Sequence, residues 1–141
     1  MKSASPDKKQ TWLRFAGLLL AIGILVWLPI EEGSELGVLV VSGLICIWGG
    51  VWLLGKTSVD DKHLILRNIL VGFGAGLMVA PVAILLMAIK SGIHGHGSPD
   101  FTVSQMQIVL SRLPYFVLVG ILIGAGSGLL RFMSGNQSQE E

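Results

Sequence analysis

ILRNILVGFGAGLMVAPVAILLMAI, running from Ile65 to Ile89, contains a single charged residue, Arg67. An α-helix rises ~1.5 Å per residue, so a run of this length is what crossing ~30 Å of hydrocarbon requires. Three further stretches read the same way: Trp12 to Ile30, Leu36 to Leu54 and Leu113 to Phe132. Hydrophobic residues make up 52% of the chain and charged residues only 13%, against ~25% charge in soluble domains. A water-soluble fold of 141 residues has too little polar surface to cover so much apolar side chain. In lipid, that surface needs no cover. The expected fold is therefore all-α and integral to a membrane, with four transmembrane helices in an antiparallel bundle.

Charge orients it. Lys2, Lys8, Lys9 and Arg14 precede or open the first span, Lys56, Lys62 and Arg67 flank the second connection, and Arg131 closes the fourth span. The other two connections hold Glu31, Glu32, Glu35 and Asp100, with Lys90 and Arg112 as their basic residues. By the positive-inside rule this places both termini in the cytoplasm. The expected layout is a flexible cytoplasmic tail over 1–10, a four-span domain over 11–133 and a polar cytoplasmic tail over 134–141. The membrane expected is a bacterial inner membrane or an equivalent energy-transducing one. Residues 1–30 lack a small-x-small cleavage pattern after the apolar run, which reads as a retained anchor.

The connections carry local signals. Glu31-Glu32-Gly33-Ser34-Glu35 suits a tight hairpin, and its carboxylates read as solvated loop charge. Gly92, Gly95, Gly97 and Pro99 break regular structure after the third span. Thr102-Val-Ser-Gln105 matches a capping box that opens a short amphipathic helix on the outer side. Proline removes a backbone donor and crowds the preceding turn, so Pro81 reads as a kink in the third span and Pro114 as the bend ahead of the fourth.

Small residues recur every fourth position: Gly72, Gly76 and Ala80 in the third span, Gly120, Gly124 and Gly128 in the fourth. Such stripes let helix backbones approach closely where lipid supplies no hydrophobic drive. Counting outward from span midpoints near Leu77 and Leu122 sets Gly76 opposite Gly124 and Gly72 opposite Gly128. Ser42, Cys46 and Gly50 form a weaker stripe, in which Cys46 reads as a packing residue.

His94 and His96 are the residues that suggest chemistry. In an extended segment, residues two apart point the same way, so both imidazoles, with Asp100, make a weak candidate site for zinc or copper. No Asp, Glu, Lys or His occupies a span centre, although a proton-coupled pump needs an intramembrane ionisable group. Nucleophile-elbow, zinc-protease and nucleotide-binding patterns are missing from the sequence. The expected protein is not an enzyme, carries no cofactor and binds no nucleic acid. Its partners are the lipid bilayer and other membrane subunits or itself. The function expected is that of a non-catalytic accessory or assembly subunit. The alternatives are a homo-oligomeric channel or uncoupled transporter and, more weakly, a metal-delivery protein using the histidine loop.

Overall fold

The structure, a computed structural model, describes residues 8–28, 34–56, 63–93 and 101–137. The described residues are almost entirely helical, with no strand among them: α1 Lys8–Trp27, α2 Glu35–Lys56, α3 Leu64–Ile93, α4 Val103–Ser111 and α5 Leu113–Gln137. Of these, α2, α3 and α5 are long and apolar enough to cross a membrane. The apolar part of α1, Thr11–Trp27, is shorter. Three spanning helices thus meet the length and composition expected of four.

Helices outrun the apolar stretches. α1 begins at Lys8 and α5 continues to Gln137, inside segments expected to be tails, because a helix entering water keeps its backbone hydrogen bonds wherever its residues tolerate the conformation. At ~1.5 Å per residue, the thirty residues of α3 span about 45 Å, more than the hydrocarbon alone.

The chain divides into two compact units, residues 1–31 and 32–141. The first holds α1. In the second, α3 is central: it packs most extensively on α5 and next on α2, and its C-terminal end meets α4. Both α2 and α5 run antiparallel to α3, so their N-termini share one end of the unit. There Arg112 Nη1 donates to Glu35 Oε1 at 3.0 Å. The pair is partly exposed, which limits its contribution to about 1 kcal/mol or less. At the opposite end, the Lys56 ammonium lies 3.8 Å from the centroid of the Trp52 ring, a cation–π contact suited to headgroup depth.

The helix α4 starts where the capping box stands. Thr102 Oγ1 accepts from the Gln105 backbone N–H, and the Thr102 N–H donates back to Gln105 Oε1 at 2.8 Å. A cap of this kind contributes about 1 kcal/mol. Phe101, 2% exposed, anchors the segment just before the cap, and its N–H donates to Ser91 Oγ at 3.3 Å on α3. Val109 is the buried residue of α4 itself. The break between α4 and α5 falls at Arg112, whose carbonyl accepts from Tyr115 N–H at 3.0 Å. Pro114 sits in the first turn of α5, where its missing donor costs nothing. Pro81 lies on an exposed face of α3, which stays helical on both sides of it.

The buried apolar set is small: Val38 and Cys46 on α2, Ala80, Ala83, Leu86 and Met87 on α3, with Phe101 and Val109. Large apolar side chains face outward instead. Leu36, Val40, Leu44, Ile47 and Val51 form one exposed stripe along α2, with Leu36 71% exposed. Soluble monomers rarely expose such a continuous patch. The chain is a membrane protein by this pattern.

Candidate functional site

The contact of α3 with α5 runs through glycine. An ideal Cβ built on Gly72 would land on the carbonyl oxygen of Gly120, and one on Gly120 would land on that of Gly72. A Cβ on Gly76 would meet the Phe116 carbonyl and stand 2.9 Å from Val117 Cα; one on Gly124 would meet the Asn68 carbonyl and stand 3.0 Å from Ile69 Cα. On Gly128 it would lie 3.1 Å from Ile65 Cα. Ala80 continues the α3 stripe, fully buried. The register departs from the depth estimate: Gly72 faces Gly120 rather than Gly128, two turns away. The physical reason is the length of α3. Its C-terminal end, with Lys90 fully buried and α4 packed against it, extends past the apolar run, so the run's midpoint is not the crossing point.

Asn68 continues the same stripe one turn before Gly72. It is 1% exposed, and neither Nδ2 nor Oδ1 has a hydrogen-bond partner among the described residues. Leaving a buried amide unsatisfied costs about 1–3 kcal/mol. Ser127, which lines the same groove as Asn68, donates its Oγ proton to Gly124 O at 3.0 Å within its own helix.

Because α2 and α5 both pack on α3, a groove of about 350 Å³ opens between them. Its floor includes Asn68, Gly72 and Gly76, and Gly43 and Ile47 of α2 and Ile123 of α5 line its walls. A Cβ on Gly43 meets nothing within 4 Å. A second groove of about 660 Å³ lies between α2 and α3. It is apolar except at the end formed by His63 and Arg67.

The metal candidates His94, His96 and Asp100 lie outside the described residues. Among the described residues, no group of three His, Cys, Asp or Glu side chains is placed to hold a metal ion. Sequence reasoning missed Lys90, read as a charge in a connection, because burial at a helix end depends on what packs there. The spacing of Asn68 from Gly72 and Gly76 puts it on the same packing stripe. Comparison with protein families, with curated proteins and with solved structures finds no match.

Proposed function

We propose that this chain is a non-catalytic accessory subunit of a membrane complex, and that the groove between α2 and α5 seats one transmembrane helix of a partner subunit. The supporting observation is the groove itself: Gly43 opens one wall, with nothing within 4 Å of its Cβ position, and Gly72 and Gly76 lie on the floor. Small residues of this kind favour close contact between transmembrane helices. Among the described residues the buried polar side chains are Ser42, Asn68 and Lys90. Ser42 is bonded within α2, and Asn68 and Lys90 lie near opposite ends of α3, an arrangement that favours docking over conduction through one chain. In the full reading α1 supplies a fourth crossing, α4 lies on the outer face, and both termini are in the cytoplasm of a bacterial inner membrane or its equivalent.

Gly43→Leu tests the docking. The glycine lines the groove with open space where its side chain would be, so leucine fills the groove without touching the chain's own backbone. Gentle native purification is expected to recover the wild-type chain with a larger partner. Gly43→Leu is expected to lower the partner recovered about tenfold, equivalent to ~1.4 kcal/mol, at an unchanged melting temperature. A cysteine at position 43, with Cys46 replaced by Ala and the new thiol alkylated by benzophenone maleimide, is expected to photo-cross-link to the partner's helix. Recovery of the wild-type chain alone, or a cross-link confined to one polypeptide, contradicts the proposal.

A further inference from the structure

No further inference is drawn: the strongest candidate, the groove between α2 and α3 lined by Gly49, Leu70, Gly74 and Met78, is an open apolar face, and nothing in the structure shows what covers it.

Discussion

Gly124→Leu is expected to abolish the folded α2–α3–α5 unit, while Gly126→Leu, two residues along the same helix, leaves it intact. The contrast is steric. At Gly124 the first added carbon already falls on the Asn68 carbonyl and 3.0 Å from Ile69 Cα, whereas at Gly126 nothing lies within 4 Å. The clashing atoms are backbone, which cannot rotate aside as a side chain would. Overpacking a tight contact by one methyl typically costs about 1–3 kcal/mol, so Gly124→Ala is expected to lower the melting temperature measurably. Leucine adds three further carbons in the same place and forces α5 off α3. Size-exclusion profiles and thermal unfolding in detergent check this. Equal melting temperatures for Gly124→Leu and Gly126→Leu would show that α3 and α5 do not cross through these glycines.

Phe101→Ala is the second large effect. The ring is 2% exposed and carries α4 onto the end of α3. Truncating a buried phenylalanine costs about 3–5 kcal/mol, and here little else holds the segment. The bond from Phe101 N–H to Ser91 Oγ is single, and Val109 is the buried residue of α4. The expected outcome is local: amides of 103–111 lose protection from hydrogen exchange, and those of α3 and α5 at the glycine crossing keep theirs. The capping box persists in sequence but cannot hold an undocked nine-residue helix, since isolated helices this short are marginal in water. Unchanged protection over 103–111 would mean that α4 is held by something other than Phe101.

Much of this architecture is legible in residue types alone. Apolar runs mark α2, α3 and α5 because lipid solvation acts on each side chain separately. The Thr102–Gln105 box marks the start of α4 because capping is decided within four consecutive residues. The glycine stripes mark which faces are small. What residue types do not carry is pairwise. The two-turn shift of Gly72 from Gly128 to Gly120 depends on how far α3 projects past its apolar run, which α4 and the burial of Lys90 decide. Helix ends at Lys8 and Gln137 exceed the apolar limits because helicity and lipid contact are separate requirements. Asn68 shows both sides of the problem: its place on the stripe is readable, and its lack of a polar partner emerges only once α5 is laid against it. The chemistry suggested by His94 and His96 rests on a connection outside the described residues.

The claim beneath all of this is that lipid, not water, solvates the outward apolar faces. Spin labels on single cysteines, in a Cys46→Ala background reconstituted into bilayers, measure it directly. At Val40, Leu44 and Ile47 on α2, and at Leu85 on α3 and Leu122 on α5, collision with dissolved oxygen is expected to be frequent and collision with a water-soluble nickel chelate rare. Free access of the chelate to Leu44, Leu85 and Leu122 would place these faces in water and contradict the account.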